Sequence, residues 1–266
     1  MCPVLERAVE CRGAATCRSA ASGVDLASIR FAISGAMSLP PAVVEHGESV
    51  TGGVLVEGFG MTETSPISVG NPVANTRRPG TVGIPFPSTD VRIVDPHEVM
   101  HECAIGERGE LLVAGPQVFS GYWNRPDDTA AVLLDGGWIR TGDTVVMDDD
   151  GFITVVDRIK ELIITGGFNV YPSEVEDAIR RIPGVSDVAA VGLPSESGGE
   201  TVVAAVVAAP GAVLDPEEVR TASRENLTGY KVPRQIFIVD ELPRALIGKV
   251  LHRQVRDQLL AHPDLH

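Results

Sequence analysis

The chain has 266 residues, enough for one large domain or two modest ones, each with its own core. Hydrophobic residues make up 44% and charged residues 22%, a balance that excludes disorder along the whole length. The formal net charge of −14 argues against a general nucleic-acid binder, which is usually basic.

Residues 1–24 hold three of the four cysteines, Cys2, Cys11 and Cys17, and show no helical or strand period. An irregular lead-in is expected there. Together with Cys103 these cysteines make no C-x-x-C pair and no zinc spacing, so reduced thiols in a cytoplasmic protein are expected. The N-terminus lacks an apolar core of signal-peptide length. The longest strongly apolar run, Val202 to Ala209, is too short to span a bilayer.

Ile29 to Ile33 reads as a strand, followed by a Ser34-Gly35-Ala36 turn. Pro40-Pro41 opens a helix to about Val50, because proline is tolerated in a first turn. Val54 to Glu57 is a second short strand, and the Pro-, Asn- and Gly-rich stretch 66–80 is a loop. Residues 81–157 are β-rich, with Val91, Ile93, Leu111 and Val113 at strand spacing. Asp150-Gly151 marks a turn between Val145-Val146 and Phe152 to Val156. A short helix is expected from Asp127 to Leu133.

The pattern changes after Asp157. A strand, Leu162 to Thr165, leads to a helix from Pro172 whose Val175, Ala178, Ile179 and Ile182 form one apolar stripe. Strands follow at Val188 to Val191 and Val202 to Ala208. Asp215-Pro216-Glu217-Glu218 is a helix start, with a cap, a first-turn proline and an acid three residues on. Ile236 to Val239 is a strand, and Val250, Leu251, Val255 and Leu259 shape a final amphipathic helix. This alternation argues a small α/β domain over 158–266.

Four clusters carry candidate chemistry. In Glu57-Gly58-Phe59-Gly60-Met61-Thr62-Glu63-Thr64, two glycines allow close backbone approach and an aromatic offers a stacking face. Thr62 offers a hydroxyl for a phosphate, and Glu63 a carboxylate for Mg²⁺. A plain glycine turn leaving a strand is the alternative. Asp143, in Thr141-Gly142-Asp143, is placed to accept hydrogen bonds from ribose hydroxyls, or simply to bond its own turn. Asp157-Arg158-Ile159-Lys160 and Thr165-Gly166-Gly167-Phe168-Asn169 straddle the change in composition and serve either a ligand or a linker.

The fourth cluster ends in Gly248-Lys249. A lysine at a helix start opposes the macrodipole, which an anionic ligand would explain as well as solvent exposure does. Residues 228–256 carry six basic side chains against Asp240 and Glu241, an excess that suits a phosphate-bearing ligand or a solvated face. No P-loop and no G-x-S-x-G elbow occurs, and none of the six histidines has a convincing catalytic neighbour in the sequence.

Taken in order, these clusters resemble the adenylate-forming (AMP-binding) superfamily of acyl-CoA synthetases, peptide-synthetase adenylation domains and luciferases. The matching stretches are Ser34-Gly35-Ala36, Gly58 to Glu63, Gly121-Tyr122, Trp138 to Asp143, Asp157 to Lys160 and Gly248-Lys249. Gly166 to Pro172 and Gly229 to Pro233 resemble the fatty-acyl-CoA ligase branch.

The resemblance implies an α/β (α+β) fold: part of the large domain with a β-rich, barrel-like subdomain over 25–157, then a small mobile domain over 158–266. It implies an AMP-forming acid:CoA ligase of fatty-acid type that uses ATP, Mg²⁺ and coenzyme A. Lys249 would bridge carboxylate and α-phosphate, Thr62 would touch phosphate and Glu63 the metal. Gly35, Ala36, Gly58 and Phe59 would surround adenine, with Gly60 and Met61 beside them. Asp143 would take the ribose, Arg158 would help hold the nucleotide, Asp157 would be the hinge, and Gly166-Gly167 would flank the coenzyme A tunnel. A homodimer is compatible with it. Phe59 stands where many relatives have Tyr. The family's Ser/Thr/Gly-rich phosphate loop has no counterpart in 1–33, so a C-terminal part, weak or inactive in adenylation by itself, is expected. A non-catalytic nucleotide- or CoA-binding chain, a degenerate remnant and adenylation for a carrier-protein thiol stay open as alternatives.

Overall fold

The computed structural model describes residues 26, 28–35, 39, 41–96, 98–195, 198–245 and 248–261. Cys2, Cys11, Cys17, Ala36 and the lead-in 1–24 lie outside the described residues, and Cys103 is a free thiol. The chain forms two compact units, one through Val155 and the other from Val156 onward. Both mix helices with strands, so the α/β class holds.

In the first unit, β1 (Phe31–Ser34) runs parallel to β2 (Val54–Phe59), with α1 (Pro41–Thr51) between them in sequence. Val44 of the helix packs with Leu39 and Leu55, giving this pair its own small core. β3 (Val69–Gly70) and β4 (Ile84–Pro85) extend the sheet antiparallel in the order β1-β2-β3-β4. The second sheet holds β5 (Asp90–Val94), β6 (Gly109–Ala114), β7 (Leu133–Leu134) and β8 (Trp138–Met147) in the order β5-β6-β8-β7. β9 (Ile153–Arg158) also pairs with β8. Ile93, Leu111, Val113, Ile139, Val145 and Ile153 interlock with Val69 as its core. α2 (Pro126–Val132) enters through its first-turn proline.

The second unit begins with the hairpin β10 (Ile163–Thr165) and β11 (Phe168–Val170), then α3 (Pro172–Arg180). β12 (Val185–Pro194) pairs antiparallel with β13 (Glu200–Ala208), which is parallel to β14 (Gln235–Val239). Val188 and Ala190 of β12, with Val202, Ala204 and Val206 of β13, meet Val175 and Ile179 of α3 and Val219 of α4 (Pro216–Ser223). The alternate residues Ala189, Val191, Val203 and Ala205 meet Val255 and Leu259 of α5 (His252–Leu260). Helices cover both faces, so the strands read as one apolar run rather than as an alternation. The Asp215 side chain accepts hydrogen bonds from the Glu217 and Glu218 amides at 2.9 and 3.0 Å, the cap expected from its position.

Two expectations shift. The loop 66–80 contains strand β3, and α5 starts at His252, so Val250 and Leu251 precede the helix.

Candidate functional site

Parallel pairing brings the carboxyl ends of β1 and β2 side by side, with Ser34 opposite Glu57. Crevices outside such ends are where ligands enter open α/β sheets. Gly35 and Gly58 come next on the two strands. A β-carbon built on Gly35 would stand 3.4 Å from the Gly58 carbonyl oxygen. Glu57 is buried behind them and ties two connections together. Its carboxylate accepts the Leu39 amide at 3.1 Å and the Gly80 amide at 2.9 Å. Burial pushes its carboxyl upward, and the two amides partly oppose that shift.

Beyond Gly58 the chain is compressed. A β-carbon on Gly60 would lie 1.8 Å from the Pro66 carbonyl oxygen. Phe59 and Met61 pack in part against the Val69 core, so the Phe59 ring is not devoted to a ligand alone. Thr62–Thr64 then forms a 3-10 turn. Thr64, fully buried, locks it: its hydroxyl accepts the Met61 amide and donates to the Met61 carbonyl, each at 3.1 Å. Thr62 is left exposed and Glu63 half-buried.

Two further bonds hold Glu63. The Phe119 amide donates to its carbonyl at 2.8 Å, and the Tyr122 hydroxyl donates to Oε1 at 2.7 Å. Phe119 and Tyr122 pack edge to face with ring centres 4.9 Å apart. That hydrogen bond holds the Tyr122 phenol above its ordinary range.

Asp143 is buried, at 5% exposure, on β8. The bend before it is fastened to the neighbouring strand. The Thr141 hydroxyl donates to the Leu111 carbonyl at 2.8 Å and accepts the Asp143 amide at 3.1 Å. Glu110, 1% exposed, accepts the Gly142 amide at 3.2 Å and Arg140 Nε at 3.0 Å. Sequence reasoning placed Tyr122 in a matching stretch without a role and did not single out Glu110 at all.

In the second unit, Asp157 Oδ2 accepts the Ser173 amide at 3.2 Å and the Ser173 hydroxyl at 2.5 Å, capping the first turn of α3. Burial pushes its carboxyl from 3.8 up to about 6, despite the serine bonds, with Glu176 and Glu161 adding to the rise. The folded state therefore holds the Asp157 proton more tightly than the unfolded chain does. Its ionisation costs stability as pH rises from about 4 towards 6, and the full cost persists above that window. Asp157→Asn is expected to raise the unfolding free energy at pH 7.5 by about 1–3 kcal/mol more than at pH 4.5. Urea titrations at the two pH values check this; equal effects would refute it.

Arg158 is exposed and precedes the Ile159–Glu161 3-10 turn. Gly166 and Gly167, at φ 56° and 81°, make the two-residue turn between β10 and β11. A hairpin turn of this kind needs positive φ at both positions, so the glycines have a backbone reason of their own. Phe168 stacks on Tyr230 at 4.6 Å between ring centres, and Lys231 Nζ lies 2.7 and 2.8 Å from the two Glu174 oxygens. The ring stack joins the Gly166 to Pro172 and Gly229 to Pro233 stretches, which lie apart in sequence, and the ion pair ties the second stretch to α3.

Lys249 sits in a hairpin, not in a helix. The Ala245 amide donates to the Lys249 carbonyl at 2.8 Å, Arg244 bridges Val250, and the Leu251 amide donates to the Pro243 carbonyl at 2.9 Å. Arg244 ties the loop down by donating to the Gly248 carbonyl and to Asp187 at once. Half of the basic side chains of 228–256 are paired inside the unit: Lys231 with Glu174, Arg244 with Asp187 and Arg256 with Glu200.

No described helix is long and apolar enough to cross a membrane. Among the described residues no group of three or more His, Cys, Asp or Glu could cage a metal ion. Glu63 is a single hard oxygen donor on a fixed turn. That suits Mg²⁺, which commonly takes one or two carboxylates together with substrate phosphates.

Comparison with known proteins identifies the family of the chain. The model of the AMP-binding enzyme family matches residues 3–123, and that of the AMP-binding enzyme C-terminal domain matches 174–249. A long-chain-fatty-acid–CoA ligase of Salmonella typhimurium is 45% identical over 235 residues, 88% of this chain and 41% of that protein. A feruloyl-CoA synthase of Amycolatopsis sp is 40% identical over 87% of this chain and 47% of that protein. The ATP-bound structure of MatB from Rhodopseudomonas palustris superposes with a TM-score of 0.79 at 38% identity, over 85% of this chain and 44% of that one. The chain thus spans about two fifths of the length of the fatty-acid ligases it matches.

Proposed function

Because the chain belongs to the AMP-binding enzyme family, we infer that it carries the nucleotide-holding and acyl-transfer parts of an AMP-forming acid:CoA ligase. The acid is a fatty acid. One observation carries the reading: Gly35, Gly58 to Gly60 and the Thr62–Thr64 turn converge at the carboxyl ends of two parallel strands. Relatives named long-chain-fatty-acid–CoA ligases, at 43–46% identity, support the substrate class.

In this reading residues 25–157 belong to the large domain and 158–266 to the small one. ATP, coenzyme A and the acid are the partners, and the cytoplasm is the compartment. A carboxylate oxygen of the acid attacks the α-phosphorus of ATP and pyrophosphate leaves. The thiolate sulfur of coenzyme A then attacks the acyl carbonyl and AMP leaves with the bonding pair.

Gly35, Gly58 and Gly60 let the backbone approach the adenine, with Phe59 and Met61 beside it. Buried Asp143 orients the ribose by accepting from its hydroxyls, with Glu110 setting the bend that presents it. Arg158 helps to hold the nucleotide, and Asp157 is the hinge residue. Thr62 donates to phosphate. Lys249 offsets negative charge that grows on the α-phosphate and carboxylate oxygens in the first step. A magnesium ion held by Glu63 would supply charge neutralisation at the departing pyrophosphate. Gly166 and Gly167 flank the path of the pantetheine arm.

The test joins this chain to the portion of a fatty-acid ligase that it does not span. Fatty-acid-dependent ATP–pyrophosphate exchange, followed by release of AMP only when coenzyme A is added, is expected. Absence of exchange from a folded protein would sink the reading. Transfer to a phosphopantetheinyl carrier in preference to coenzyme A would redirect it.

A further inference from the structure

His252 is the first residue of α5, three positions after Lys249. Its side chain is 16% exposed and reaches back to acidic groups from three other elements. Nε2 lies 2.7 Å from Oε1 of Glu176 on α3, an oxygen that also accepts the Ala190 amide of β12 at 2.9 Å. Nδ1 is buried without a hydrogen bond and lies 3.4 Å from Oε2 of Glu161, in the 3-10 turn after β9. Asp157 faces the ring through its charge from the end of β9. Arg180 sets a counter-charge beside this group, with its Nη2 3.8 Å from the other Glu176 oxygen.

This arrangement favours the imidazolium. A neutral ring that keeps its proton on Nε2 for Glu176 turns the Nδ1 lone pair towards the Glu161 carboxylate, which is repulsive. A charged ring offers a proton to both. Burial pulls the ring's titration down, but the Glu176 bond and the charges of Glu176, Glu161 and Asp157 outweigh it, and the net direction is above the ordinary 6.5. The groups near Lys249 thus have two anchors of different kind. Arg244, permanently charged, fastens the tip of the hairpin to Asp187. His252, which titrates, fastens its base, because the hairpin closes at the bond between the Leu251 amide and Pro243.

We propose that His252 is a positioning residue for Lys249: clamped between Glu176 and Glu161 as an imidazolium, it sets the base of the lysine hairpin, and loss of its proton loosens that hairpin. The structural part stands on these contacts alone. The consequence for catalysis rests on the ligase reading given above.

The experiment is an NMR pH titration of the 266-residue chain, following the His252 Cε1 proton and the amides of Gly248, Lys249 and Leu251. One common midpoint above 6.5 is expected. In Glu176→Gln that midpoint falls by about one pH unit or more. In His252→Gln the three amides lose the inflection, and in His252→Arg they stay in their low-pH form throughout. Amides that ignore the His252 titration overturn the proposal, as does an inflection that survives in His252→Gln, which would assign it to Asp157. Should His252→Gln fail to fold, Glu176→Gln and His252→Arg decide alone. None of these readouts requires catalysis, so their failure leaves the ligase reading intact. If both hold, pyrophosphate exchange loses rate above the midpoint in the native sequence and not in His252→Arg.

Discussion

Replacing Lys249 by alanine lowers ATP–pyrophosphate exchange by roughly 10²–10³-fold, the usual cost of removing one donor aimed at developing transition-state charge. The effect is confined to the first half-reaction. In the proposed mechanism the charge that Lys249 meets grows on the α-phosphate and the attacking carboxylate, whereas thioester formation develops its charge at the acyl carbonyl. Acyl-CoA formation from a supplied acyl-adenylate therefore changes by less than about tenfold. Lysine to arginine does not rescue the first step, because a planar fork cannot replace a compact ammonium at the tip of a short hairpin. Pyrophosphate exchange and single-turnover thioester formation, measured on the same variant in the protein completed as above, give the two values. Equal losses in both half-reactions would contradict the assignment. So would a large rise in KM for ATP at unchanged kcat.

Gly60→Ala destabilises the first unit by roughly 3 kcal/mol or more, because the new methyl must displace backbone rather than a flexible side chain. Its β-carbon would stand 1.8 Å from the Pro66 oxygen and 2.6 Å from the Ile67 α-carbon. Two other glycines set the scale. At Gly58 the nearest atom is the mobile Cδ1 of Ile67, at 2.9 Å, which can move aside. At Gly167 nothing lies within 4 Å, and only the positive φ of 81° is costly, by about 1 kcal/mol. The expected order of loss is Gly60, then Gly58 and Gly167, read from urea midpoints of the three alanine variants. A Gly60→Ala protein as stable as the native one would mean that the segment 58–67 is not packed as described.

Much of the layout was legible because its signals are local. Asp215 caps where a cap was expected, and Val175, Ala178 and Ile179 bury the stripe that their spacing foretold. The apolar run Val202 to Ala209 proved to be a central strand covered on both faces. The misreadings were local too. Gly166-Gly167 was read for its freedom to let a ligand or chain pass, and the two-residue hairpin turn it also signals was overlooked. Val250 and Leu251 looked helical because they are apolar, yet both close the Lys249 hairpin, and Val250 packs with Val255 and Leu259 of α5. Strand β3 is two residues long, too short for any period to mark it.

What the sequence could not show is pairing over distance. Tyr122 and Glu63 are 59 residues apart, Gly142 and Glu110 are 32 apart, and His252 and Glu176 are 76 apart. Each looks like an ordinary residue of its type until the fold brings its partner to it. The basic excess around Lys249 misled in the opposite direction, since half of those charges already have acidic partners within the unit. Lys249 itself is carried by its hairpin and by the family match, not by that excess.

The central claim is that the first unit holds an adenosine through Gly35, Gly58 to Gly60 and Asp143. Calorimetric titration of the 266-residue chain with a non-hydrolysable fatty acyl-adenylate mimic tests it most directly. Saturable binding at one site is expected, weakened about tenfold or more in Asp143→Ala by the loss of a buried acceptor for the ribose hydroxyls. Failure of the folded chain to bind, or equal affinity in an Asp143→Ala variant with an unchanged unfolding transition, would contradict it.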